Sequence, residues 1–373
     1  MSVNRFCCLM LALVGWVPNL ARGQDQAVLI GQSAGLTGGQ ARYSQHVKAG
    51  IEAALNAFNS RGGLRGRPLK LITLDDAGRK EKVAANTREL VEQHRVVALL
   101  GYTSGAGVED TLPYLNAADV PMIGPVTGNM GIRARFQRQL FHTRAGYADE
   151  MRRLVDYQVT TGLRRFAIAY LDDVGPANPQ AMLSALSKHQ LTPVASVGLN
   201  RNAENFDREI ELLLAARPDA VLFISNAKPI THIVRGMRQR GYGGQFASSS
   251  FSGIGVIQDL QQFAPGLILS QVLPAPGAFD LKLTHEYRAD LRTLSSEHTP
   301  NYTSLEGYLA ARVLIEGLKG VKGPLTASNL ITALESLGRF KVGGYELNFT
   351  TTSHDGSRYV NTGVVSRDQV LRF

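Results

Sequence analysis

The sequence predicts an α/β protein built as two lobes with parallel-sheet cores around a cleft. Short apolar runs alternate with longer runs in which apolar residues recur at three- and four-residue steps, the pattern of parallel βαβ units. The alternation runs through one block, stops near residue 125 and restarts near residue 149. A single sheet holding every strand would be unusually wide, so two lobes fit better.

In the first block, AVLIGQSA over 27–34 predicts a strand. A helix over 44–60 follows, with Val47, Ile51, Ala54, Leu55 and Phe58 on one face. Then come a strand over 69–75, a helix over 81–94 with Leu90 and Val91 inward, and a buried strand VVALLG over 96–101. A helix over 109–118 and a strand over 121–125 end the block. The second block predicts a helix over 149–161, a strand over 165–171 (RFAIAYL), a helix over 179–189 and a strand over 193–197. A helix over 205–215, a strand over 220–225 (AVLFIS), a helix over 230–240 and strands over 245–249 and 267–272 follow. Helices over 281–296, 304–318 and 326–337 and strands near 345–349 and 359–365 complete the chain.

Residues 1–23 read as a secretory signal peptide: Arg5, an apolar stretch from Phe6 to Val17, and small residues at Ala21 and Gly23, with cleavage expected after Gly23. Both cysteines, Cys7 and Cys8, would leave with it, so the exported chain has no thiol or disulfide chemistry. Of 40 Lys+Arg, Arg5 and Arg22 leave too; 38 bases against 31 acids give a net charge of +7. The basic residues are scattered and not interleaved with stacking aromatics, so a nucleic-acid partner is not indicated.

Ligands of α/β lobes sit at the carboxyl ends of the strands. After the first strand, AGLTGGQARYS carries three glycines with Thr37 and Tyr43, and fits neither phosphate-loop pattern; a tight turn is an equal reading. After the third strand, GYTSGAG over 101–107 leads into a helix whose N-terminus could hold a carboxylate. GPVTGNMG over 124–131 is of the same kind, and the pair makes a small anion cradle. Helix capping by Thr103, Ser104 and Thr127 is the alternative.

Catalytic constellations are poor. The eight His show no HExxH and no pair at metal spacing, and no G-x-S-x-G elbow surrounds Ser250. Asp75–Asp76 and Asp172–Asp173 each end a strand, where adjacent carboxylates point to opposite faces; loop capping is the favoured role. Hydroxyls, backbone donors and aromatics without an activated nucleophile describe a binder.

Several stretches carry a resemblance: GLTGGQARYSQHVKAGIEAALNAFNSRGGLRGRPLKLITLDD over 35–76, VVALLGYTSGAG over 96–107, VPMIGPVTG over 120–128, LFHTRAGYADE over 140–150, ILSQVLPAP over 268–276 and SLEGYLAARVLIEGL over 304–318. The chain after residue 23 resembles the periplasmic solute-binding proteins of ABC importers, in the leucine/isoleucine/valine-binding branch. The resemblance implies the type I periplasmic-binding (Venus-flytrap) fold: two Rossmann-like lobes joined by a three-strand hinge. Lobe 1 would combine 24–144 with 276–352, and lobe 2 would combine 145–275 with 353–373, with crossovers near 143–147, 273–276 and 353–359. By motif, a ligand carboxylate would meet Ser104 and Gly105 in one loop and Val126, Thr127 and Gly128 in the other, under Tyr43. Tyr147, Asn226 and Phe251 are further cleft candidates. Lobe 2 departs from the family: Val174 stands where a tyrosine is usual, and Ser250 stands where amino-acid binders carry an acid for the ammonium. Asp172 or Asp173 could substitute, or the ligand lacks an ammonium.

The expected function is an extracytoplasmic substrate-binding protein of an ABC transporter, periplasmic, monomeric, without cofactor or metal and not an enzyme. It would capture a small solute, branched-chain amino acid-like or another small carboxylate or amide, and deliver it to a membrane permease and its ATPase. The alternative is a ligand-sensing receptor subunit that signals through a partner.

Overall fold

Residues 27–373 are described in a computed structural model; the expected signal peptide, residues 1–23, lies outside the described residues. The first block folds as β1 (Val28–Ala34), α1 (Ala41–Asn59), β2 (Leu69–Asp75), α2 (Lys80–Glu92), β3 (Ala98–Leu100), α3 (Gly105–Ala118), β4 (Met122–Ile123) and β5 (Leu140–Phe141). The five strands form one parallel sheet in the order β2-β1-β3-β4-β5. β3, β4 and β5 are short, apolar and wholly buried, as covering on both faces requires. Val83, Leu90, Val108 and Leu115 of α2 and α3 close one face.

The second block runs α4 (Tyr147–Thr160), β6 (Phe166–Leu171), α5 (Ala177–Ser187), β7 (Ala195–Leu199), α6 (Asp207–Ala215), β8 (Ala220–Ile224), α7 (Ala227–Gln239), β9 (Gln245–Ser248), α8 (Gly255–Leu260) and β10 (Ile268–Gln271). The chain then returns to the first sheet with α9 (Lys282–Leu294), α10 (Tyr302–Gly320), α11 (Ala327–Glu335) and the hairpin β11 (Arg339–Val342) and β12 (Tyr345–Asn348). It ends in β13 (Asn361–Val365) and β14 (Leu371–Arg372), which extend the second sheet to the order β14-β13-β10-β9-β8-β6-β7. β13 and β14 are antiparallel additions to a parallel core.

The returning helices complete the first lobe's second face. There, α1 and α10 cross almost backbone to backbone. A Cβ at Gly50 would lie 1.8 Å from the Ser304 carbonyl oxygen, and one at Gly307 would lie 2.2 Å from that of Val47. Glycine at both points lets the helices bury Val47, Ile51, Leu305 and Leu309 against each other.

Three connectors run between the two sheets, and they lie side by side. The His142 N–H donates to the His354 carbonyl at 2.9 Å, and the Gly356 N–H to that of His142 at 2.8 Å. The Tyr345 hydroxyl reaches the Val272 carbonyl at 3.3 Å and Ser357 Oγ at 2.6 Å. Among the described residues, no helix is long and apolar enough to cross a membrane.

The expected α/β class holds, and differences lie at element ends. α3 starts at Gly105, four residues before the expected start, because Ser104 caps it by accepting the Gly107 N–H at 3.1 Å. β7 is shifted by two residues, since its register is set by pairing Ala195 with Ala167 of β6. β5, β11 and β14 were not expected. Two residues of strand show no alternation, and β11 exists through its tight turn at Gly343–Gly344, both at positive φ.

Candidate functional site

The carboxyl ends of β3 and β4 bring the two glycine-rich loops into contact. Gly105 opens α3, and a Cβ there would lie 2.7 Å from Thr127 Oγ1. A Cβ at Gly128 would lie 2.4 Å from the Tyr147 ring. Both positions need glycine because neighbouring groups occupy the side-chain space. The Val126 N–H donates to the Tyr102 carbonyl and the Tyr147 N–H to that of Gly128, each at 2.8 Å, which locks the second loop to its surroundings. Thr127 Oγ1 accepts the Asn129 N–H at 3.2 Å and lies 3.4 Å from the Tyr147 hydroxyl. Burial raises the Tyr147 phenol to about 12, with Arg144 pulling the other way, so it remains a donor at neutral pH.

Ser104, Gly105, Thr127, Asn129 and Tyr147 line a narrow inner cavity of about 10 Å³, closed on the other side by Ile224 and Phe251. The unpaired N–H groups of α3 are concentrated here, with the positive end of its dipole. The arrangement can hold a small anion. Helix capping operates as well, since Ser104 Oγ accepts an N–H of α3.

Tyr43 stands at the start of α1 and donates its hydroxyl to the Val126 carbonyl at 3.2 Å. Its ring meets Phe251 edge-on at 6.4 Å, and the Tyr147 ring lies 6.1 Å from Phe251. The three rings form an apolar wall beside the cradle. Beyond Tyr43 and Phe251 lies an outer cavity of about 140 Å³, lined also by Asn226, Lys228 and Arg42. The cleft is closed: Arg42 meets Asp259 at 2.8 Å, and the Met130 N–H donates to Asn178 Oδ1 at 2.8 Å, both from one side of the cleft to the other.

Of the ten residues the sequence nominated, Ser104, Gly105, Thr127 and Tyr147 line the inner cavity, Tyr43 and Asn226 the outer one, and Phe251 both. Val126 and Gly128 shape the cradle through their backbone carbonyls, already bonded to Tyr43 and Tyr147. Ser250 faces away. Its hydroxyl accepts from Arg144 Nη2 at 2.6 Å, and its N–H donates to Glu150 at 2.7 Å.

That contact belongs to a buried ionic cluster that the sequence did not reveal. Arg144, Glu150 and Glu306 are 1%, 0% and 6% exposed. Arg144 binds both carboxylates, from the connector after β5 to α4 on one side and α10 on the other. Burial drives the Glu306 carboxyl up to about 7; Arg144 opposes this and the Glu150 charge adds to it. The strand-end acids act in the loops, as expected: Asp75 accepts the N–H groups of Leu36 and Ala77, and Asp76 that of Gly78. Asp173 is held bidentately by Arg201. No group of three or more His, Cys, Asp or Glu among the described residues could hold a metal ion.

Comparison with known proteins agrees with this fold. A family model described as "Periplasmic binding protein" matches residues 27–369. An amino acid binding protein of Pseudomonas aeruginosa is 25% identical over 263 residues, 69% of each chain. The crystal structure of a possible leucine/isoleucine/valine-binding protein from Rhodopirellula baltica superposes with a TM-score of 0.88 at 27% identity, over 93% of this chain and 96% of that one. A substrate-binding periplasmic protein from Ralstonia solanacearum gives 0.86 at 27% identity, over 92% and 99%. A match from residue 27 to residue 369 takes in every strand of both sheets but β14, and the connectors between them, and so the chain belongs to the periplasmic binding protein family, a family of binding proteins and not of enzymes.

Proposed function

We propose that this protein is the substrate-binding component of an ABC importer and captures a small carboxylate without an ammonium group between its two lobes. The lobes would comprise 24–144 with 276–352 and 145–275 with 353–373, released to the periplasm as a monomer after loss of residues 1–23. The closed state would then present the solute to a membrane permease and its ATPase. A ligand that bridges both walls stabilises the closed state by its differential affinity for it.

The observation that carries the reading is the cradle of Ser104, Gly105 and Thr127 at the α3 N-terminus, facing Phe251 across the cleft. Four acids near the cleft are paired with arginines: Glu150 and Glu306 with Arg144, Asp173 with Arg201, and Asp259 with Arg42, while Glu109 accepts from the Asn129 amide. A buried ammonium with no free carboxylate would be costly. The aromatic wall suits an aliphatic or aromatic acid body.

Titration calorimetry of ligand-stripped protein against amino acids and the corresponding acids lacking the amine tests this. Acids should bind and their α-amino counterparts should bind more weakly. Preference for the amino acid, or no binding to any carboxylate, would overturn the reading.

A further inference from the structure

The lobe-2 side of the cleft holds polar groups that the carboxylate cradle leaves unused. α7 is 13 residues long and begins at Ala227, directly on the outer cavity. Its first N–H groups have no intrahelical acceptor, and its dipole places positive charge there. The residue preceding it, Asn226, is 7% exposed, lines the same cavity and makes no capping bond to the helix. Its Oδ1 is buried without a partner, as is Ser249 Oγ at the end of the adjacent strand β9. Buried polar atoms are nearly always paired, so the unpartnered amide of Asn226 at the cavity wall marks a place where a polar group belongs; Ser249 does not line the cavity. Lys228, in the first turn of α7, adds a cation, and it is paired with Glu204. The outer and inner cavities share Gln40 and Phe251 in their walls.

We propose that the outer cavity is a second subsite that binds an oxygen acceptor, carboxylate or carboxamide, at the far end of the captured acid. The solute is then a two-ended acid. One carboxylate rests at the α3 N-terminus, the apolar body lies along Tyr43, Phe251 and Tyr147, and the distal oxygens accept from the α7 N-terminus and the Asn226 amide. The orphaned Oδ1 can accept from a distal carboxamide N–H, and a distal carboxylate takes the amide turned to present its NH2. This inference rests on the carboxylate reading of the inner site.

The test is calorimetry of the full mature chain with glutarate, adipate and pimelate, their monoamides, and valerate, hexanoate and heptanoate. At one of these lengths the two-ended ligand should bind about tenfold or more tightly than the methyl-ended acid. In Asn226→Ala that ratio should fall to about twofold or less. Asn226→Asp, nearly isosteric, should penalise the dicarboxylate more than its monoamide by placing like charge beside it. Circular dichroism confirms that each variant is folded. Equal affinity of one- and two-ended acids at every length, or a ratio that survives Asn226→Ala, overturns the second subsite and leaves the first intact. Failure of every acid to bind overturns both.

Discussion

Replacing Glu306 by glutamine should leave the protein as stable at pH 8 as the parent, or more stable, although it removes one half of a buried ion pair. One guanidinium serves two buried carboxylates. Glu150 accepts from Arg144 and also from the Ser250 N–H at 2.7 Å and the Ser270 hydroxyl at 2.6 Å. Glu306 has the Arg144 Nη1 bond at 3.0 Å. Burial, against the pull of Arg144 and with the push of Glu150, carries the Glu306 carboxyl from 4.5 to about 7. At about 1.4 kcal/mol per pH unit, the ionised form costs the folded state about 3 kcal/mol above pH 7. The sign follows from proton affinity. The folded state holds this proton more tightly than the unfolded chain does. The contribution of Glu306 is therefore most favourable below pH 4.5, declines as pH rises to about 7, and is flat above. Glutamine keeps an acceptor for Arg144 and has no charge to bury. Losing charge assistance in one hydrogen bond costs about 1 kcal/mol, which leaves a net gain at pH 8 of about 0–2 kcal/mol. Urea unfolding followed by circular dichroism, at pH 5 and pH 8, measures it. A loss of more than about 1 kcal/mol at pH 8, or a decline between pH 5 and pH 8 as steep as the parent's, would refute the reasoning.

The cradle predicts that Thr127→Ala weakens carboxylate binding by about 1–3 kcal/mol, read by calorimetry; unchanged affinity would place the ligand elsewhere. Gly50→Ala drives a Cβ against the Ser304 carbonyl, and α1 and α10 cannot separate without uncovering core. It should cost about 3 kcal/mol or more, seen as a lowered Tm in a thermal melt, and a Tm equal to the parent's would contradict the crossing geometry. The Arg42–Asp259 pair is about half-exposed, so Arg42→Ala should change unfolding stability by less than about 1 kcal/mol. Its effect should fall instead on ligand release, faster than in the parent at low salt and converging with it as salt screens the pair, which stopped-flow dissociation measures.

The lobes were legible because their elements repeat a simple pattern. Ile168, Leu222 and Phe223 sit in unbroken apolar runs, as strands covered on both faces require. The cradle was legible because Gly105 and Gly128 stand next to Ser104 and Thr127 in sequence. The ionic cluster was not. Arg144 and Glu306 are separated by 162 positions. Glu150 reads as a favourable acid in the first turn of α4, and Glu306 as a polar residue early in a long helix. Each has an ordinary local explanation, and only the fold brings them within one hydrogen bond of a common guanidinium. Asn226 was nominated as a further cleft candidate, but its lack of a partner is a property of the packed cleft alone.

The cluster also explains what the sequence left as a bare departure, the serine where amino-acid binders of this family carry an acid. Position 250 donates its N–H to Glu150 and accepts from Arg144. An acid there would bring a third carboxylate against a guanidinium that already serves two. Its charge would stand beside Glu150 in a region closed to water, where like charges repel strongly and neither can be hydrated. The buried Arg144–Glu150–Glu306 arrangement and a free acid at position 250 are therefore mutually exclusive. A chain that ties its connector to both lobes through Arg144 gives up the counter-charge for an ammonium at that wall, and its binding polarity must come from elsewhere. The unused polarity of the cleft includes backbone donors at two helix N-termini, α3 and α7, with hydroxyls, His46 and the amides of Gln40 and Asn226 between them. On the proposed reading, both ends of the cleft would offer donors to oxygen acceptors, and the aromatic wall between them would suit an uncharged body.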